Sequence, residues 1–374
     1  MVKVSLVNIE SYDPDKVYLA VKESIKKINY SIPKNKTVLI KPNILSQNKP
    51  SQHSITHYTI IDALCRILKD NSCKIKIGES MSFYQKGLTR KAFKTSRIEE
   101  VAEKYGAELV AFDEEPLVEI KNGLLGFEKL YLPKILLKVD AIIDACKLKS
   151  HSGLRLSGAV KNMFGSIPGG YKQKAHIWKD NDYDLSDVFI DICSVLKPSL
   201  AIMDAIYGLD GGPTAIGKPV KVGRIIASVS PYHLDIVASK IIGYEPENIA
   251  TLVRAKERGI IKNYNEVEII GEMPSVKFKS LIKGPIKEHN KVDMFVTDTF
   301  VNPFIKKSKC TKCLDCIKFC PVFAIKESVD YPSIDYSKCI NCYYCLKACP
   351  DNAIGVKSSW KNKFINLMRL VLGI

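Results

Sequence analysis

The sequence lacks any run of the roughly 18 apolar residues needed to span a bilayer. Its start, Met1-Val2-Lys3-Val4-Ser5-Leu6, holds no long apolar segment of the secretory kind, so a cytoplasmic location is expected. No G-x-G-x-x-G opens a helix after the first strand pattern, and G-x-x-x-x-G-K-[ST] is absent. Neither a dinucleotide nor an ATP site is indicated. Acidic residues are the scarcer charge, 40 Asp+Glu against 56 Lys+Arg, for a formal net charge of +16. The lysines are scattered rather than gathered in a dense basic block, which argues against nucleic acid. A lysine-rich solvated surface explains most of the excess. Attraction to anions is expected where lysines meet other candidate site residues.

Cysteine is not scarce. Eight of the 12 cysteines lie in residues 310–350. The stretch reads C-T-K-C-L-D-C-I-K-F-C-P and then C-I-N-C-Y-Y-C-L-K-A-C-P, and a shift of 29 residues lays Cys310 on Cys339 and Pro321 on Pro350. This is an internal duplication. Cysteines at i, i+3 and i+6 on a short loop converge on one centre, and the proline after each fourth cysteine ends the turn. Paired C-x2-C units also bind zinc, but zinc needs four ligands and no duplicated three-plus-one pattern. Disulfides suit small secreted domains. The pattern is that of an iron–sulfur run.

The block resembles the bacterial two-cluster ferredoxins over about 50 residues. In that spacing the fourth cysteine ligates the other cluster. The resemblance implies two [4Fe-4S] clusters, one on Cys310, Cys313, Cys316 and Cys349, the other on Cys339, Cys342, Cys345 and Cys320. It also implies electron transfer with a redox partner protein, a soluble donor or acceptor. Tyr343 and Tyr344 are expected to pack over a cluster. Cys65, Cys73, Cys146 and Cys193 share no ligand spacing and read as buried thiols, with Cys146 the one nearest a candidate site.

The preceding 270 or so residues alternate strand and helix. Asp13-Pro14 reads as an N-cap with proline in the first helical turn. Strands are expected at 37–41, 74–77, 107–112, 139–146, 200–204, 222–229 and 267–270. Helices are expected at 97–105, 232–242 and 246–258, and Thr56 is expected to cap another with Ile60, Ile61, Leu64, Ile67 and Leu68 on its apolar face. The expected fold class is α/β, a mostly parallel sheet with flanking helices, followed by a small α+β two-cluster ferredoxin-like domain. The expected boundaries are 1–272 for the α/β domain, 273–302 for a connecting segment, 303–355 for the cluster domain and 356–374 for an amphipathic tail.

In open α/β sheets, ligands bind beyond the carboxyl ends of the strands. Lys41 and Asn43 follow one strand, Glu79 and Ser80 another, and Lys147, Lys149 and His151 a third, while Asp204 ends a fourth. Each alone is as readily a surface residue; together they form a candidate site. The densest stretch, 146–176, places Lys161-Asn162 among Gly153, Gly158, Gly165, Gly169 and Gly170. Glycines allow backbone amides to approach a ligand, and Lys and His hold anions or relay protons. A second glycine-rich segment, 208–213, follows Asp204. Turns over a crowded sheet edge are the plainer account of both. The candidate catalytic residues are Lys149, His151, Lys161, His176 and Asp204. The candidate ligand-binding residues are Lys41, Asn43, Glu79, Asn162, Gly169 and Gly170.

I-K-P-N at 40–43, K-S-H-S-G at 149–153, S-G-A-V-K-N-M-F-G at 157–165, I-P-G-G at 167–170 and M-D-A-I-Y-G-L-D-G-G-P at 203–213 resemble the family catalogued as domain of unknown function 362. That family often carries ferredoxin-type clusters and has no assigned chemistry. After Ser228 this chain has Val-Ser-Pro-Tyr-His-Leu-Asp in place of the family's shorter aspartate-proline turn, which leaves the role of Asp235 open. The S-G-A-V-K, P-G-G and His pattern is also similar to nickel-pincer lactate racemases, where a lysine holds the cofactor and a histidine binds nickel. By that analogy Lys161 and His176 would correspond, although the asparagine after the lysine departs from the racemase pattern.

Residues 360–374, W-K-N-K-F-I-N-L-M-R-L-V-L-G-I, have the make-up of an interfacial helix, and equally of one that docks on the cluster domain or a partner. Three functions fit these features. The first is an oxidoreductase passing electrons through the clusters to an anionic ligand of the α/β domain. The second is an electron carrier or cluster scaffold whose α/β domain docks partners, and the third is metal or metallocofactor handling.

Overall fold

Strands with apolar residues on both faces require a sheet covered on both sides, and that is the architecture observed. The structure is a computed structural model that describes residues 1–45, 47–82, 86–121, 123–151, 154–179, 181–211, 217–274, 276, 278–279 and 301–358, without the side chains of 176–178, 301 and 358. The strands are β1 (Val2–Asn8), β2 (Thr37–Pro42), β3 (Lys74–Glu79), β4 (Glu108–Ala111), the hairpin β5 (Leu117–Ile120) and β6 (Leu130–Pro133), β7 (Ala141–His151), β8 (Arg155–Ser157), β9 (Leu200–Asp210), β10 (Lys218–Ser228) and β11 (Val267–Ile270). All but the hairpin form one nine-stranded sheet in the order β11-β1-β10-β9-β7-β2-β3-β4, with β8 beside β7. Only β10 and β8 run antiparallel to their neighbours.

The helices are α1 (Pro14–Lys27), α2 (Tyr58–Asp70), α3 (Leu88–Thr95), α4 (Ile98–Tyr105), α5 (Ala159–Asn162), α6 (Gly169–Trp178), α7 (Asp182–Leu196), α8 (Pro231–Ile242) and α9 (Ala250–Glu257). The first four cover one face, where Val38, Ile40, Ile143 and Ile202 are buried. The remaining five cover the other, over Leu39, Ile142, Cys146 and Met203. Alternation along β2, β7 and β9 thus separates two cores.

Asp13 caps α1, its carboxylate accepting from Lys16 N at 3.0 Å. Thr56 does not cap α2. His57 holds that position, and the Thr56 hydroxyl instead donates to Ala145 O at 2.7 Å, tying the loop to β7. Two strands run further than expected. Lys147, Lys149 and His151 lie within β7, with Lys147 opposite Asp204 and His151 opposite Arg155, and Gly208 and Asp210 lie within β9. Pairing with β8 and β10, both antiparallel, together with β7–β9 contacts, overrides the glycine and lysine content of these segments. The strand β1 and helix α7 complete the domain. The tail 360–374 and most of 273–302 lie outside the described residues.

Asp235 on α8 is a buried anchor. Its carboxylate accepts from Ala159 N at 2.6 Å and Val160 N at 3.0 Å, fixing the start of the helix that carries Lys161 and Asn162. A Cβ on Gly158 would lie 2.1 Å from that carboxylate, so glycine there serves packing. Replacing the acid by Asp235→Ala leaves two buried N–H groups unpaired, and chemical denaturation is expected to show a loss of ~1–3 kcal/mol per orphaned donor.

Candidate functional site

After β2 the chain builds β3 and β4 on one side, then returns to build β7 and β9 on the other. The β2–β7 boundary is therefore the topological switch point where an open sheet leaves a crevice. Lys41 ends β2 here, fully buried. Its ammonium donates to Glu79 Oε2 at 2.6 Å, Pro42 O at 2.9 Å and Asn162 Oδ1 at 3.4 Å. Asn162 also accepts from Asn43 Nδ2 at 2.9 Å and donates to Asp144 Oδ1 at 2.6 Å. Lys149 donates to Asn43 Oδ1 at 2.6 Å and Ser54 O at 3.0 Å. Lys41, Asn43, Glu79, Lys149 and Asn162 thus form one network. A Cβ on Gly165 would lie 2.2 Å from Glu79 Oε1 and 2.4 Å from Lys41 Nζ, so that glycine lets the backbone close over the ion pair.

Lys161 stands beside this network, half-buried, its ammonium 5.8 Å from the Phe189 ring centroid. No hydrogen bond or ion pair to it is found among the described residues. A residue the sequence reading did not select, Lys172 on α6, is 4% exposed and donates to Ser80 O at 2.6 Å, Ser80 Oγ at 2.8 Å and Met81 O at 3.2 Å. Four lysines therefore gather around Glu79 and Asp144, with Asp113 near Lys172 and the backbone-bonded Asp235 near Asp144.

The titration behaviour follows from burial. It pushes Lys149 down to about 7, with Lys161 and Lys147 adding repulsion. It lowers Lys161 to about 8, helped by Lys41, and Lys172 to about 7 against the attraction of Glu79. Burial also raises Asp144 to about 8, and its Oδ2 has no partner among the described residues. The site is short of negative charge near neutral pH.

Asp204 belongs to a separate cluster. It pairs with Lys147 at 3.0 Å, both side chains fully buried, and accepts from the Tyr12 hydroxyl at 2.9 Å and His57 N at 3.0 Å. The Tyr12 ring stacks on His57, with centroids 3.8 Å apart. These contacts join the α1 and α2 starts to β7 and β9. His151 lies at the β7–β8 end, its Nδ1 accepting from Leu154 N at 3.2 Å. Gly169 opens α6, while the His176 side chain lies outside the described residues. Cys146, like Cys65, Cys73 and Cys193, is buried. Tyr12, Asp144 and Lys172 had no motif to mark them, since only the fold makes them neighbours of the selected residues.

Gly170 lies against the cysteine-rich segment. A Cβ there would lie 2.2 Å from Asn341 O and 2.3 Å from the Tyr343 ring, so the missing side chain admits the cysteine-rich segment. One turn along, Lys174 donates to Cys339 O. Ile340 and Cys342 join the main apolar core.

That segment pairs β12 (Val301–Ile305) with β15 (Ile354–Ser358) and β13 (Ile325–Lys326) with β14 (Ser333–Ile334), both antiparallel. Its halves repeat the same left-handed residues: Lys312 and Asn341 at φ 59° and 53°, Leu314 and Tyr343 at 61° and 59°, Phe323 and Asn352 at 51° and 50°. Each such non-glycine residue costs ~1–2 kcal/mol. Its recurrence at equivalent positions marks a shaped cradle. Ala324 N and Ala353 N each donate to the fourth cysteine sulfur at 3.2 Å. Cys310, Cys313, Cys316 and Cys349 line one small pocket, and Cys320, Cys339, Cys342 and Cys345 another. Each pocket gathers the three closely spaced cysteines of one half and the fourth cysteine of the other, the three-plus-one arrangement that fits a cluster.

Residues 38–240 match the family described as domain of unknown function (DUF362). The chain belongs to this family. Residues 302–350 of this DUF362 protein match a 4Fe-4S dicluster domain, an iron–sulfur electron-transfer module. A relative from Synechocystis sp., described as a thylakoid-associated protein, is 29% identical over 272 residues, covering 70% of this chain and 81% of its own length. Among solved structures, the lactate racemase apoprotein from Thermoanaerobacterium thermosaccharolyticum aligns with a TM-score of 0.42 and 15% identity, over 64% of this chain and 57% of that one. Among the described residues no helix is long and apolar enough to cross a membrane.

Gly170→Ala is expected to loosen the cysteine-rich segment from α6. Overpacking of this kind costs ~1–3 kcal/mol. Amide hydrogen exchange in α6 and residues 339–343 should then be faster than in the parent, and an unchanged rate would remove Gly170 from the docking contact.

Proposed function

We propose that this DUF362 protein is an oxidoreductase that passes electrons from a donor through two [4Fe-4S] clusters to an anionic ligand held over Lys41, Lys149, Lys161 and Lys172. The observation that carries this reading is the buried excess of ammonium groups at the β2–β7 switch point, with Lys161 lacking a counterion among the described residues. A carboxylate or phosphate beside Lys161 would supply the missing charge and favour the protonated lysines. Lys161 contacts the anion in this reading, and Lys149 and Asn43 orient it. The Lys41–Glu79 pair holds the floor. Lys149, titrating near neutrality, is suited to give a proton from Nζ to a ligand that gains electrons. The cysteine quartets, when loaded, supply one-electron transfer. The thylakoid-associated relative favours a setting at a membrane surface, with residues 360–374 as the candidate contact.

The pH dependence follows in sign. An anion binds the ammonium form, so affinity is greatest below pH 7 and falls as Lys149, Lys172 and Lys161 lose protons between about 7 and 8. Calorimetric titration with carboxylates and phosphates should show this decline, and Lys161→Met should weaken binding ~10- to 100-fold. Affinity equal on both sides of that interval, or wild-type binding by Lys161→Met, would overturn the reading. If no anion in the panel reoxidises the reduced, loaded protein, the carrier or scaffold alternative is favoured instead.

A further inference from the structure

We infer that an acidic one-electron carrier protein docks on the exposed rim of Lys306, Lys307, Lys309 and Lys312, making the Cys310–Cys313–Cys316–Cys349 quartet the electron port of the chain. This rests on cluster binding and is independent of the anion reading.

The two quartets have different surroundings. Cys339, Cys342 and Cys345 with Cys320 lie on the side covered by α6, where Gly170 meets Asn341 and Lys174 meets the Cys339 carbonyl. In the other quartet Cys313 is exposed, unlike the other seven cysteines of the duplicated segment. Electron tunnelling weakens steeply with distance, so a protein donor has its closest approach at Cys313. Lys306, Lys307, Lys309 and Lys312, close to that cysteine in sequence, are all exposed. Lys307 and Lys312 both approach the Tyr331 ring, at 5.8 Å and 5.5 Å from its centroid, so the tyrosine gathers them onto one face. Asp351, bound by the Thr311 hydroxyl, and Asp315 are acids beside this quartet, and Asp330 lies near Lys307 and Tyr331, so the four lysines leave the rim net positive rather than uniformly so. A net positive rim steers a partner of the opposite sign. In the step itself one electron leaves the carrier and one reaches the port, with no bond made or broken.

The test uses the loaded full-length protein under anaerobic conditions. Reduced flavodoxin, an acidic flavin carrier, is mixed with it and bleaching of the cluster absorbance is followed by stopped flow. The second-order rate should fall ~10-fold or more between low and high salt, and by a similar factor in K309E/K312E at low salt. Binding of oxidised flavodoxin, read from its own chemical shifts, should weaken in the same variant. K22E/K26E, which changes net charge equally on α1, should behave as wild type. Iron content and deazaflavin photoreduction verify that the clusters are intact. If K309E/K312E loses iron, Lys309→Gln with Lys312→Gln should give a smaller decrease. Rates unaffected by the rim variants, or an equal loss in the α1 control, would overturn the inference.

Discussion

An ammonium group taken out of water needs partners for its charge and its protons, and Lys41 meets that demand with three acceptors and the space left by a glycine. Glu79 comes from β3, Asn162 from α5, the Pro42 carbonyl from the end of β2 itself, and Gly165 gives way above. Removing one member of a buried pair typically costs ~3–5 kcal/mol. The pair therefore holds β2, β3 and α5 in a single relative placement. Asn162, shared with Asp144 and Asn43, extends that constraint to β7 and to Lys149. The glycines that looked like ligand-approach residues are explained by the same demand, because Gly158 and Gly165 let backbone close on Asp235 and on the Lys41–Glu79 pair.

The network is satisfied except at its edge. Lys161 joins the crowd without a counterion among the described residues, and Asp144 keeps a bare oxygen. A core built only for stability has little reason to gather like charges, since burial opposes each of them. Local charge excess at a switch-point crevice is what the proposed anion site rests on. The short helix α6 connects this crevice to the cysteine-rich segment. Lys172 reaches inward to Ser80, while Gly170 and Lys174 meet the Cys339–Cys342 loop from the other side.

Some of this was legible in residue order. The duplicated cysteines with their prolines give the iron–sulfur module directly, and Asp13-Pro14 gives the start of α1. The central strands, too, were recognisable as apolar runs. Their ends were not. Lys147, Lys149 and Gly208 carry loop-like chemistry, yet they lie in β7 and β9, because hydrogen bonding to neighbouring strands outweighs local preference. Thr56 failed as a cap for a similar reason, its hydroxyl being used by Ala145 across the sheet edge.

Sequence by itself determined the α/β class, the family and the cluster module, since each rests on local periodicity or fixed spacing. It also named Lys41, Asn43, Glu79, Lys149, Lys161 and Asn162 as candidates. Tertiary structure decided which of these meet, that Asp204 pairs with Lys147 and Tyr12 in a cluster of its own, that Lys172 and Asp144 join the crevice, and that Gly170 serves docking. The physical reason is separation along the chain. Lys41 and Asn162 are brought together by the register of β2 with β7 and by the anchoring of α5 on Asp235, and neither leaves a local trace in the sequence.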